Sequence, residues 1–480
     1  MSTIGSSTTL LLAGLALLGC TDRPMPTQGA ALRNSLRVGE SPSGNGPHVV
    51  IFAAERVPLD FRARVSALGG SVEVSLDSIG VATVGGLTEA AVSDLASAPD
   101  VQRVESDGVT ALPRDDIEIA EASAEPAMPE LVADATASPA SASFYARQWN
   151  LRAVFAQEAW AAGLLGSSEV VVAILDTGID YLHPELVGLV DLSRSKSFVP
   201  DEDQVVQERY PGRDPVTDLL YHGTAVASIV ASNAKQLAGM NRHVTLLALK
   251  VADRFTEHTV AADLAAIVWA ADAGADVVNA SGGRRFDKSQ NPGLIAAYLR
   301  ALNYAWRKGV LTIGVAGNDT IDHAHDGDMV ALPCEAPNAI CASATGPTSA
   351  DGVNGRWHNV DASALYTGYG RSTVSVAAPG GQRFTNTRVW LPCLTTPSEV
   401  SPAACQGNKP PRLLQGIGTS FAAPTVAGLA ALLVAQLGHG KPALIRERIL
   451  QSADDLGEPG MDPYYGRGRI NVARALGLRP

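Results

Sequence analysis

Four short stretches, far apart along the chain, hold side chains that could do chemistry together. Ser420 stands in Gly418-Thr419-Ser420-Phe421-Ala422-Ala423-Pro424, ahead of an apolar run that reads as a helix through Leu437. A serine in the first turn of a helix turns its hydroxyl and its N–H outward, where the positive end of the dipole meets developing negative charge. The plainer reading of this stretch is a helix with Thr419 or Ser420 as its N-cap and Pro424 as an early-turn proline. Asp176 closes the apolar run 170–175 and opens Asp176-Thr177-Gly178. A carboxylate at a buried strand end is costly unless it accepts hydrogen bonds, and holding an imidazole is one such use. His222 precedes Gly223, Thr224 and Ala225, small residues that let a helix pack closely while the imidazole stays at its end. Asn318 follows the run 311–316 and Gly317; it reads alone as a turn former, yet its amide can donate to an oxyanion.

Asp, His and Ser in that chain order, with an Asn before the Ser, are what hydrolysis of an acyl bond needs. Ser420 would attack, His222 would take and return its proton, Asp176 would hold the tautomer, and Asn318 with the Ser420 N–H would receive the oxyanion. Two other readings compete. Asp-Thr-Gly also marks proteases that share a proton between two carboxylates, but no second Asp-Thr-Gly or Asp-Ser-Gly follows. A non-enzymatic surface protein on a degenerate scaffold would lack one of the four residues, and none is missing.

Side chains so distant in sequence converge only if strand ends bring them together. From residue 148 onward, short β-branched runs at 169–175, 244–251, 276–279, 310–316, 339–344 and 373–378 alternate with helical runs such as 261–273 and 294–308. That alternation predicts an α/β domain over 144–480, a mostly parallel sheet with helices on both faces, whose chemistry sits at the carboxyl ends of its strands. Ahead of it, runs at 49–52, 59–68, 71–74, 81–84, 88–98 and 101–104 read as β-α-β-β-α-β, a small ferredoxin-like α+β unit within 47–112. The stretch 113–143 scatters Asp115, Asp116, Glu118, Glu121, Glu125 and Glu130 among Ala, Ser and Pro without an apolar period, as a disordered, protease-accessible tether would. A compact module, a cleavable tether and a large domain suggest a propeptide.

The first 20 residues read as an export segment. Their apolar core, 10–18, is too short to span a bilayer, and it ends at Leu17-Leu18-Gly19-Cys20 with no basic residue before Arg23. Gly19 before Cys20 resembles a bacterial lipobox, which would make Cys20 a lipidated residue, followed by a flexible spacer over 21–46. The alternative is an ordinary secretory signal; both place the protein outside the cytoplasm, lipid-anchored in the cell envelope or secreted. Of five cysteines, Cys334, Cys341, Cys393 and Cys405 then remain, an even number in an oxidising compartment. The sequence-nearest pairs, Cys334 with Cys341 and Cys393 with Cys405, are expected among three connectivities; a zinc site would want shorter C-x2-C spacings. A chain of 480 residues with net charge −12 offers no basic face for nucleic acid.

Asp176-Thr177-Gly178-Ile179-Asp180 through His183-Pro184-Glu185-Leu186, His222-Gly223-Thr224, Gly317-Asn318 and the Ser420 block resemble, in order, the four signature blocks of the subtilisin family. The resemblance spans 148–475 and implies a subtilisin-like three-layer fold and a serine endopeptidase acting on proteins or peptides. It also implies an autoprocessed precursor with its own inhibitory propeptide, and Cys20 would make it a lipoprotein member. Asn279-Ala280-Ser281-Gly282-Gly283 is similar to the family strand that pairs with extended substrate, and Val315-Ala316-Gly317 to the opposite pocket wall. The family usually has a larger apolar residue where Gly282 stands. No cofactor is required for the chemistry and no metal ligand is assigned. Calcium is possible in this family, but its principal site pairs a carboxylate at Glu185 with a loop that here, near 232–238, is short and carries Lys235. Asp322-His323-Ala324-His325-Asp326-Gly327-Asp328 has the residue types of a metal cluster but reads as a hydrophilic pocket rim.

Overall fold

The computed structural model describes residues 46–111, 117–118, 137–396, 398, 400, 405 and 413–480. Cys20, the export segment, nearly all of the spacer and most of the acidic tether lie outside the described residues.

A seven-stranded parallel sheet organises the large domain. Its spatial order is Val376–Pro379, Ile340–Thr345, Leu311–Val315, Val277–Ala280, Gly166–Asp176, His243–Lys250 and Lys196–Ser197. Successive residues of Gly166–Asp176 feed two separate cores. Val170, Val172 and Ile174 pack on one side with Val426, Ala430 and Leu433, while Val171, Ala173 and Leu175 pack on the other with Leu264, Ala301 and Leu302. Both faces are covered, so the strand is apolar throughout rather than alternating.

The helix Thr419–Leu437 lies across the first face, against five of these strands. It is apolar all round and long enough to cross a membrane, but 83% of its most apolar window is buried inside the fold; it is a core helix. The helices Val260–Asp272 and Pro292–Arg307 cover the second face. Six of the seven strands lie where the sequence predicts them. Lys196–Ser197, an edge strand of two residues, is too short to show any period.

The N-terminal unit is the expected β-α-β-β-α-β, with antiparallel strand order Ser71–Leu76, Val81–Gly85, His48–Phe52, Val101–Ser106. Val50, Phe52, Val65, Val84 and Leu95 build its own core. The other face, carrying Val49, Ile51, Leu76 and Val81, packs into the same core as the helices Val260–Asp272 and Pro292–Arg307. Each of those helices receives a carboxylate at its N-terminus. Asp107 accepts from the N–H groups of Val260 and Ala261, and Glu105 from those of Gly293 and Leu294. These are the orphan donors and the positive end of the dipole, the place where a helix holds an anion.

Candidate active site

Asp176 is fully buried at the end of the central strand Gly166–Asp176. Its Oδ1 accepts from the Thr177 N–H at 2.8 Å and lies 2.7 Å from His222 Nδ1. That contact fixes the imidazole tautomer with the proton on Nδ1 and turns Nε2 into the acceptor. His222 opens the helix His222–Val230. Gly223 is required behind it, because a Cβ there would lie 2.0 Å from the Gly178 carbonyl oxygen. Asp218, also fully buried, holds the turn into this helix: it accepts from the Leu220, Tyr221 and Thr224 N–H groups and from the hydroxyls of Thr177 and Thr224. Thr177 Oγ1 in turn accepts from the Gly223 N–H. Asp218 belongs to none of the sequence motifs. Its function rests on tertiary hydrogen bonds that carry no local pattern.

Ser420 sits in the first turn of Thr419–Leu437, with Gly418 as N-cap. The side chains of Thr419 and Ser420 do not cap the helix. Ser420 Oγ donates to the Ser281 carbonyl at 3.0 Å, and Ser281 Oγ donates back to the Ser420 carbonyl at 3.1 Å. The Ser420 carbonyl is open to this bond because Pro424, four residues on, has no N–H to give it. The His222 ring lies 5.9 Å, centroid to centroid, from that of Phe421, beside the same turn. Asn318 Oδ1 accepts from the Thr419 N–H at 2.9 Å and the Thr419 hydroxyl at 2.8 Å. With its oxygen so held, the Asn318 amide presents its NH2 end away from Thr419.

The two stretches expected to bind substrate reach this centre through Ser281, bonded to Ser420, and through Asn318, bonded to Thr419. Ala280 ends the strand Val277–Ala280 beside Leu175, Asn279 Nδ2 donates to Ser281 Oγ, and Gly282 and Gly283 lead into Arg284–Asp287. Val315 ends its strand, the Ala316 carbonyl accepts from His323 Nε2 at 2.7 Å, and the Gly317 carbonyl accepts from the Gly368 N–H. His323 belongs to the rim loop. Of that loop's other members, Asp326 pairs with Arg285 and Asp322 with His325. Two short pieces of chain also lie here. Thr110–Ala111 pairs antiparallel with Glu257–His258, and Ile117–Glu118 pairs antiparallel with Leu413–Gly416, which ends four residues before Ser420.

Both expected disulfides, Cys334 with Cys341 and Cys393 with Cys405, are present. The second braces a loop that Asp180 ties to the Asp176 turn by accepting from the Thr395 N–H and hydroxyl and the Thr396 N–H. Calcium does not fit at Glu185. Its carboxylate accepts from the Ser232 hydroxyl and the N–H groups of Lys235, Gln236 and Leu237, at 2.5 to 3.1 Å. A cation site needs oxygens pointing inward, and this loop presents N–H donors instead.

A parallel α/β sheet whose central strand ends in a carboxylate paired with an imidazole, beside the helix turn that bears a serine, has the parts for acyl-bond hydrolysis, and the family match makes the chain a serine-type endopeptidase. Residues 167–468 match the model of the Subtilase family. The chain is 32% identical over 354 residues to a thermophilic serine proteinase of Bacillus sp. (strain AK1), covering 73% of this chain and 72% of that one. It is 30% identical over 340 residues to thermitase of Thermoactinomyces vulgaris, covering 71% and 99%. Among solved structures it resembles in fold an epidermin leader peptide processing serine protease of Staphylococcus aureus, with a TM-score of 0.68 and 20% identity over 91% of this chain and 99% of that one. The chain belongs to the subtilase family.

Proposed function

We propose that this subtilase is an exported precursor that cuts its own tether and then hydrolyses peptide bonds in other proteins. Ser420 is the nucleophile; His222, its Nδ1 held by Asp176, takes the serine proton on Nε2 and returns it to the leaving amine. The oxyanion meets the Ser420 N–H at the helix start and the Asn318 amide. The observation that carries this reading is the 2.7 Å contact between Asp176 and His222 beside the turn that bears Ser420.

The tether supports self-processing. Thr110–Ala111 pairs along Glu257–His258, and Ile117–Glu118 pairs along Leu413–Gly416, which ends four residues before Ser420. The bond cut in maturation lies between Ala111 and Ile117, and the N-terminal unit then remains as an inhibitor docked on two helices. Export rests on the apolar run 10–18, and anchoring in the envelope membrane on Gly19-Cys20; mass spectrometry of the envelope protein tests the latter by a lipid mass on Cys20.

The central experiment is a fluorophosphonate probe on purified protein, with Ser420→Ala beside it. Labelling at Ser420, and an uncleaved precursor in the variant, are expected. Maturation of Ser420→Ala expressed alone would remove Ser420 from the nucleophile's role.

A further inference from the structure

Arg284 is a buried arginine that the mechanism above does not use. It lies just past Gly283, three residues from the Ser281 that bonds to Ser420 in both directions. Its guanidinium is spread over four partners. Nε donates to Asp263 Oδ2 at 3.1 Å, Nη2 to the His258 carbonyl, and Nη1 to the Gly108 carbonyl at 3.2 Å and the Thr110 hydroxyl at 2.6 Å. Asp263 is itself held by His258 Nδ1 at 3.0 Å. The large domain therefore provides a fixed fork at the edge of Glu257–His258, and the N-terminal segment fills it with backbone and one hydroxyl.

Strand addition of this kind takes its affinity from main-chain hydrogen bonds and its selectivity from what meets the side chains. Here the group that meets the side chain is a donor. It is also already neutralised by Asp263, so it suits a neutral acceptor better than a further carboxylate. An aliphatic side chain in the same place would leave Nη1 with the Gly108 carbonyl alone and its shorter, stronger bond unmade in a partly buried site.

We propose that Arg284, held by Asp263, is a specificity-determining residue that selects substrates carrying serine or threonine where Thr110 lies on Glu257–His258. The proposal rests on the reading that the tether enters the site as substrate does.

The test begins with N-terminal sequencing of the matured protein, which fixes how many residues Thr110 stands ahead of the cut. Peptides copying residues 106–120 are then compared, with Thr, Ser, Val or Asp at the Thr110 position. Thr and Ser should exceed Val in kcat/KM by about ten- to a hundredfold, the scale of one hydrogen bond to a charged group, and should also exceed Asp. In Arg284→Met the ratio of Thr to Val should collapse toward one. A merely structural arginine would lower both peptides together and keep the ratio. Equal cleavage of the Thr and Val peptides by the wild-type protein overturns the proposal, as does Asp outrunning Thr; neither needs the variant to fold. Failure to cut any of these peptides or casein, by contrast, would count against the proteolytic reading itself.

Discussion

Pro424 and Thr419 do more for Ser420 and Asn318 than begin a helix. Without a proline N–H to satisfy, the Ser420 carbonyl takes the Ser281 hydroxyl, which ties the backbone of the proposed nucleophile to the neighbouring strand end. Thr419 grips Asn318 by its oxygen and so aims its donors. Replacing Asn318 with Ala should lower kcat by about 10² to 10³ with little change in KM, a range taken over from subtilisin itself rather than derived from this site. Steady-state kinetics on a peptide substrate decide it: an unchanged kcat would take Asn318 out of the oxyanion's surroundings. The four candidate residues stood out because each sits in a short pattern of small residues or at the end of an apolar run. Ser281 stood out only through the family resemblance, and Asp218 and Arg284 had no such mark. What they do depends on which distant backbone groups reach them, and no periodicity encodes that.

The elements show a substitution of one kind of chemistry for another. In the turn after the histidine helix, three successive N–H groups and one hydroxyl converge on the buried Glu185 carboxylate. Gln148 fastens the same turn from the other side, bonding Ala238 through both ends of its amide. The sequence reading of a short loop unsuited to calcium at this place has its physical reason here: the charge is met by backbone dipoles. Glu185→Gln puts an NH2 against those donors, and should destabilise the fold by about 2 to 3 kcal/mol. Urea unfolding of both proteins, with and without EDTA, checks this. The difference between them should be the same in either condition; a difference that vanishes on chelation would mean that a cation is held there after all.

At the scale of the whole molecule, the order of strands and helices was readable because strands buried on both faces are short, β-branched and evenly interrupted. How the N-terminal unit meets the large domain was not, since docking joins one apolar face of its sheet to two helices and adds a single carboxylate at each helix start, a match that neither partner's sequence shows alone. Asp107 is the most consequential of them. Burial pushes its carboxyl up to about 6, against the pull of Arg284 and of the Ala261 and Val260 N–H groups. Undocked and solvated, the same group should titrate at the ordinary value near 3.9. A carboxyl whose pKa is higher in the docked state favours docking most when it is protonated. Its contribution is thus complete below about pH 4, is lost as pH rises through 6, and is flat above that. The full span is on the order of 3 kcal/mol, about a hundredfold in affinity. Calorimetry of the N-terminal segment binding the matured protein near pH 5, in buffers of different ionisation enthalpy, should register close to one proton taken up. Asp107→Asn should lose that uptake and flatten the dependence of affinity between pH 4 and 7. Equal uptake in the two proteins would place the titrating group elsewhere, and proton release would reverse the sign of the argument. If the uptake is found, the N-terminal unit is held more tightly in acid and loosens as the surroundings approach neutrality.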